Sequence, residues 1–137
     1  MPSKYPKLLD SDIVYRALRK SWLIPDIWEL TPDAFFLREK EKGLSTNIPA
    51  YCTKEQCINN LRNSNALVIL NVGLIRKLGE GLDLVLNVCQ DGYNHASIKG
   101  LPCKEDDEEL ATKIAEELIK QSNIEIFDLV SKTFKPI

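Results

Sequence analysis

The clearest periodicity along the chain lies in its last third, where apolar residues recur three and four positions apart. Leu110, Ile114 and Leu118 fall on one face of a helix over residues 106–121. Acidic residues crowd its first turn, where the helix dipole favours negative charge. This pattern predicts an amphipathic helix that covers a core.

Shorter apolar stretches predict strands. Residues 66–72 are almost continuously apolar, as expected of a central strand covered on both faces. Residues 82–89 and 95–99 flank the turn-forming segment Gln90-Asp91-Gly92, which predicts a hairpin. Residues 124–130 predict a last strand, followed by a frayed end at Pro136.

The middle of the chain predicts a further hairpin and two short helices. Residues 34–38 and 44–48 are interpreted as two strands around a charged loop. Thr53 and Gln56 form a capping box that opens a helix over residues 54–62. Residues 74–78 predict a helix that Gly79 terminates.

Residues 13–18 are compatible with two structures. As a strand, they place Arg16 on the same face as Val14 and Leu18. As a helix, they form an apolar stripe of Val14, Leu18 and Trp22. The β-branched and aromatic content favours the strand, followed by an irregular connection over residues 22–32.

These elements predict a single α+β domain over residues 1–137. We expect a mixed, mostly antiparallel sheet of about six strands with two or three helices. A length of 137 residues is sufficient for one core, and no repeat or linker divides it. Pro2 and Pro6 disfavour regular structure, so residues 1–9 are expected to form a flexible tail.

Composition and charge exclude several classes of protein. Apolar residues make up 44% and charged residues 28%, which is ordinary for a globular protein. The net charge of −2 provides no basic field for nucleic acid or an anionic membrane. No stretch reaches the roughly 20 apolar residues of a membrane span, and the start lacks the apolar core of a signal peptide. We therefore expect a cytoplasmic protein.

The cysteines do not form the pattern of a zinc site or a disulfide framework. In a reducing compartment they are expected to be free thiols. Their spacing provides only one close pair, and His95 is the only histidine. We expect no metal and no cofactor, although the sequence leaves open whether any cysteine binds a metal. The four cysteines are Cys52, Cys57, Cys89 and Cys103.

Three polar residues are candidates for catalytic chemistry. On an apolar strand face, Arg16 cannot lose its charge and needs an anion or carbonyl oxygens. Ser45 carries a hydroxyl that can orient a neighbouring group, although it can equally satisfy local backbone groups. His95 is the one side chain with an unperturbed pKa near neutrality, and alternation places it on a polar face.

The chain resembles a group of short uncharacterised bacterial proteins in the order of four short motifs. This resemblance implies no activity. It covers residues 12–100. The motifs are Tyr15-Arg16, Ala34-Phe35, Gly43-Leu44-Ser45 and His95-Ala96.

More remotely, the chain is similar to the ADP-ribosyltransferase-like fold, which includes the RES-type toxins that degrade NAD. Arg16 matches the arginine that these families place on an early strand, and Leu44-Ser45-Thr46 partly matches their Ser-Thr-Ser strand. Their late acidic residue has no equivalent here. The resemblance implies that Arg16 would bind the pyrophosphate of NAD, that Ser45 would orient its ribose, and that His95 would be a polar contact or an acid or base.

Two functions follow. We place first a non-catalytic interaction module of the kind found in bacterial defence or toxin–antitoxin systems. Its partner would be a protein, a second copy of the chain being one option, and neither a membrane nor nucleic acid. Trp22, Ile27 and Trp28 are its candidate partner-binding residues, because aromatic residues are favoured at interface cores. The alternative is an ADP-ribosyltransferase-like enzyme that acts on NAD as transferase or glycohydrolase.

Overall fold

The computed structural model describes residues 5–24, 27–38 and 40–137. Within them, three α-helices accompany a seven-stranded antiparallel sheet and a separate two-stranded one, which confirms the predicted α+β class. The helices are α1 (Lys54–Asn59), α2 (Val72–Gly81) and α3 (Glu108–Gln121). The strands are β1 (Ile13–Leu18), β2 (Leu23–Ile24), β3 (Glu29–Leu30), β4 (Leu44–Asn47), β5 (Ala66–Asn71), β6 (Asn87–Gln90), β7 (His95–Lys99), β8 (Asn123–Asp128) and β9 (Thr133–Pro136).

The large sheet has the strand order β6-β7-β4-β1-β5-β8-β9. Its central strand β1 is paired with β5 along its whole length, from Ile13 opposite Asn71 to Leu18 opposite Ala66. The strand at residues 13–18 is therefore confirmed, and the helical alternative is wrong. The burial of both faces of β5 also confirms the central strand predicted over residues 66–72.

The two faces of the sheet are covered unequally. On one face, the main core packs α2, α3 and a 3-10 turn (Pro32–Phe35) against the sheet. On the other face, α1 covers β1 and β5 through a smaller cluster that includes Cys57 and Leu67. Ser45 of β4 and Lys99 of β7 are exposed on this second face. The site described below lies beside this exposed part of the second face.

The hairpin predicted from residues 34–38 and 44–48 is wrong. Pro32 begins a 3-10 turn after Thr31, and the turn buries Ala34 and Phe35 in the main core. Among the described residues of the next segment, Leu37 forms an isolated bridge with Cys103. Strand β4 pairs instead with β1 and β7.

The helix predicted over residues 74–78 is longer than expected, and the strand predicted over residues 82–89 is shorter. Gly79 lies inside α2 because the chain returns tightly against it: a Cβ there would lie 2.8 Å from the carbonyl oxygen of Leu84. The following turn uses the positive φ of Asp83, so β6 begins only at Asn87. Gly79 therefore permits a close approach and does not end the helix.

Residues near both ends of the described chain make contacts that the sequence did not predict. The residues expected to fray at Pro136 form β9, which pairs with β8. Of the expected tail, residues 1–4 lie outside the described residues, whereas Leu8 packs against the main core and its carbonyl oxygen accepts a 2.7 Å hydrogen bond from Arg76. No helix in the described ranges has the length and apolar character needed to cross a membrane.

Candidate functional site

Arg16 is buried at a gap between two neighbouring strands. Strands β1 and β4 pair only where Tyr15 faces Asn47. Continuing that antiparallel register would place Ala17 opposite Ser45, but no such pair forms. Arg16 is 8% exposed, and its side chain enters this region. There it donates a hydrogen bond to the carbonyl oxygen of Ser45, where no backbone pair forms between the two strands.

The guanidinium of Arg16 is held by backbone carbonyl groups. Its Nε donates to the carbonyl oxygen of Ala34 at 2.9 Å, and its Nη1 donates to that of Ser45 at 2.8 Å. The ring of Trp22 lies 5.1 Å from the guanidinium carbon, a cation–π distance. These contacts fix the orientation of the arginine without neutralising its charge.

The positive charge of Arg16 is not matched by an adjacent acid within the part of the chain that the structure describes. No carboxylate of a described residue lies within ion-pair distance of it. Burial lowers the pKa of Arg16 to about 10, against the opposing effect of the Glu41 carboxylate. The side chain therefore remains charged at neutral pH in a setting that favours an anionic companion.

A pocket of about 390 Å³ opens above Arg16 and Ser45. Its wall carries two more arginines, Arg19 and Arg38, and Trp22. Arg38 is partly balanced by Asp33 at 3.6 Å. Other lining residues, on the strands, on α1 and just after it, are Ala17, Asn47, Cys57, Asn60 and Leu61. Volume and lining are suited to a small polar ligand.

Ser45 and His95 meet across the β4–β7 pair. Ser45 lies opposite Ser97 and Asn47 lies opposite His95, so all four side chains are on the same face of the sheet. The Oγ of Ser45 is 2.6 Å from Nε2 of His95. The neighbouring Thr46 points to the other face, where its hydroxyl donates to a buried carbonyl oxygen.

Asp91 and Ser97 extend this contact into a hydrogen-bonded chain. Nδ1 of His95 is 2.5 Å from Oδ1 of Asp91, and the Oγ of Ser97 donates to Oδ2 of Asp91 at 2.6 Å. Partial burial raises the pKa of Asp91, but the hydrogen bonds from Ser97 and His95 outweigh it and keep that pKa below its usual value. Asp91 is therefore an anion at neutral pH, beside the histidine that contacts Ser45.

The structure thus brings together the three residues that the sequence singled out for chemistry. Arg16 holds the backbone of Ser45, and His95 holds its side chain. Ser45 is also part of the pocket wall.

The three residues proposed for partner binding do not share one environment. Trp22 is partly buried, packs against the main core and lies over Arg16. Ile27 and Trp28 are 57% and 40% exposed, and Trp28 adopts a positive φ between β2 and β3.

Sequence reasoning missed Asp91, which it assigned to a turn. The register of the β6–β7 hairpin contains the missing signal: Gln90 pairs with Ala96, so Asp91 comes opposite His95 on the polar face. The pocket carboxylates were also missed: Glu41 was assigned to the loop of a hairpin that does not form, and Asp33 lay outside every predicted element. Among the described residues, no group of acidic, histidine and cysteine side chains is placed to hold a metal.

No protein-family model matches the chain, and neither a curated protein nor a solved structure matches it. The function is therefore argued from the site itself.

Proposed function

We propose that this protein is an enzyme that binds a small anionic substrate in the pocket of Arg16. The observation that carries the proposal is the convergence on Ser45 of a histidine-bound hydroxyl and a buried arginine that forms no ion pair with a carboxylate of the described residues. Two backbone carbonyl oxygens accept from the guanidinium, but neither carries a negative charge that offsets the buried cation. A pocket anion would supply that missing companion.

NAD is the substrate that we propose for this pocket. Its pyrophosphate provides oxygens for Arg16, with Arg19 on the same wall. Ser45 would contact the nicotinamide ribose, and His95 would serve as polar contact or as acid or base. In the hydrolytic reaction the bond between nicotinamide and ribose breaks, and water supplies the hydroxyl of the released ADP-ribose. Glu41, which also lines the pocket, provides a carboxylate for the positive charge that develops on that ribose.

Isothermal titration with NAD and with ADP-ribose tests the binding step, and chromatography of NAD incubated with the protein tests turnover. The Arg16→Met variant retains much of the side-chain volume but removes the charge. We expect it to weaken binding by about ten- to a hundredfold, because a charged hydrogen bond contributes about 1.5–3 kcal/mol. Arg16→Lys keeps the charge but not the planar guanidinium. We expect its affinity to lie between those of the wild-type protein and the Arg16→Met variant.

The matched control is Arg62→Met. Arg62 is exposed and does not line the pocket, so its loss removes the same charge without touching the site. Circular dichroism establishes that each variant is folded. Absence of both binding and turnover in the wild-type protein would refute the proposal for NAD. Equal affinities of the Arg16→Met and Arg62→Met variants would refute the role of Arg16.

We propose as the second candidate a protein-interaction module that uses the segment around β2 and β3. The supporting observation is that Ile24, Ile27 and Trp28 are large apolar residues with exposed fractions of 40%, 57% and 40%. Such a cluster is a common feature of docking surfaces. In this function the partner is a protein, in the setting of a bacterial defence or toxin–antitoxin system.

Sedimentation and pull-down with the Trp28→Ala variant test this second function. We expect the substitution to reduce self-association or partner capture at least about tenfold if Trp28 is a contact at the centre of the interface. Val85→Ala is the control, since Val85 is 87% exposed and lies away from β2 and β3 in sequence. Undiminished association of the Trp28→Ala variant would eliminate this surface.

A further inference from the structure

We infer that Ser45 is a nucleophile, activated by His95 and Asp91, and that the protein cleaves small carboxylic esters in the Arg16 pocket. This acyl-transfer activity goes beyond the proposed action on NAD and does not require it. It follows from the order of contacts in the chain from Ser45 through His95 to Asp91.

The contacts use the two nitrogens of His95 in the way that base catalysis requires. Nε2 faces the Oγ of Ser45 at 2.6 Å, and Nδ1 faces Oδ1 of Asp91 at 2.5 Å. Because an ionised carboxylate can only accept, it fixes the proton on Nδ1 and leaves Nε2 free to accept the serine proton. The histidine is thus held in the tautomer of a general base.

The carboxylate is itself held in place. The Oγ of Ser97 donates to Oδ2 of Asp91, which leaves Oδ1 directed at the histidine. Ser97 is 8% exposed, so this hydrogen bond is shielded from water more than those of its neighbours. Ser97 is therefore a positioning residue, which acts on the nucleophile through Asp91 and His95.

The other end of the chain of contacts is accessible to a substrate. Ser45 is exposed and forms part of the pocket wall. Arg16 lines the same pocket and is fixed at 2.8 Å from the Ser45 carbonyl oxygen, which places a permanent positive charge beside the reacting residue. This charge lies on the backbone side of Ser45, and it attracts a substrate that carries an anionic group.

The reaction then balances in two steps. The Oγ of Ser45 attacks the ester carbonyl carbon, its proton passes to Nε2 of His95, and that proton leaves on the departing alcohol as the ester bond breaks. Water next attacks the acyl group on Ser45, gives a proton to His95, and releases the carboxylic acid as the proton returns to Ser45. No oxidant, metal or further co-reactant takes part.

A short alkyl fluorophosphonate tests the nucleophile without any knowledge of the natural substrate. The Oγ of Ser45 forms a bond to phosphorus, fluoride leaves, and the serine proton passes through His95 to solvent. We expect mass spectrometry to find one adduct per chain, on the peptide that contains Ser45. Release of nitrophenol from p-nitrophenyl acetate is expected to stop when that adduct has formed.

Three variants make the test specific. Ser45→Ala is expected to abolish the adduct, and His95→Gln to slow its formation by about a hundredfold or more while Ser45 remains present. Ser131→Ala is the matched control, because Ser131 is exposed and its hydroxyl is hydrogen-bonded to that of Thr133. We expect its adduct to form at the wild-type rate.

The outcomes separate this inference from the action on NAD. No adduct on the wild-type protein, or an equal rate in the His95→Gln variant, overturns the inference whatever the result with NAD. An adduct at Ser45 without NAD binding supports the inference and refutes the proposed substrate. Circular dichroism establishes that the Ser45→Ala variant is folded, so that a loss of labelling can be assigned to the missing hydroxyl.

Discussion

Replacing Asp91 with asparagine is expected to slow the fluorophosphonate reaction of Ser45 by about a thousandfold or more. The reason is geometric. Ser97 donates to Oδ2 of Asp91, so an asparagine in this place would keep its carbonyl oxygen toward Ser97 and turn its amide toward His95. The amide would donate to Nδ1, the proton of His95 would move to Nε2, and the serine proton would have no acceptor.

The rate is measured from the time course of adduct formation by intact mass, with Asp128→Asn as the control. Asp128 is also an acid of lowered pKa, because of its hydrogen bond from Lys135. It lies in β8, which β1 and β5 separate from β4. We expect this control to react at the wild-type rate. A rate for Asp91→Asn within about tenfold of the wild type would show that His95 does not need the carboxylate, and that the chain of contacts is structural.

Much of the fold is predictable because its signals are local. The spacing of Leu110, Ile114 and Leu118 predicts α3, since a single helix face decides where those side chains point. The capping box of Thr53 likewise forms as expected at the start of α1. These features depend on residues within a few positions of one another, which is the information that a sequence window contains.

Other elements were mispredicted because packing decides them. The aromatic run after Pro32 has strand propensity, yet the main core takes up Ala34 and Phe35 as a 3-10 turn. Gly79 is a residue type that commonly ends helices, yet here it lies inside α2 and allows the following chain to pack closely against the helix. In both cases a packing contact outweighs the local preference.

The site falls between these cases. Alternation along β1 placed Arg16 beside apolar residues, and alternation along β7 placed His95 on a polar face. That Ser45 and His95 touch depends on the pairing of β4 with β7 across 50 residues of chain, which neither segment encodes alone. Asp91 was not predicted as a site residue, because its position opposite His95 depends on the register of the β6–β7 hairpin.

Replacing Leu118 with alanine is expected to lower the free energy of unfolding by about 3 kcal/mol, within the usual range of about 2–5 kcal/mol for such a cavity. Leu118 is fully buried on α3 in the main core. Alanine has the best helix propensity, so the substitution removes packing without penalising the helix itself. Urea unfolding followed by circular dichroism measures the change.

Leu110→Ala is the matched control on the same helix, because Leu110 is only partly buried. We expect it to cost about 1 kcal/mol, since less apolar surface returns to water. Equal losses for the two leucines would contradict the assignment of Leu118 to the core. The pair also bears on the site, because α3 packs against the 3-10 turn whose Ala34 carbonyl accepts from Arg16. Ala34 and Phe35 are themselves buried in that turn, so ligand affinity should change by less than about threefold while the folded state persists.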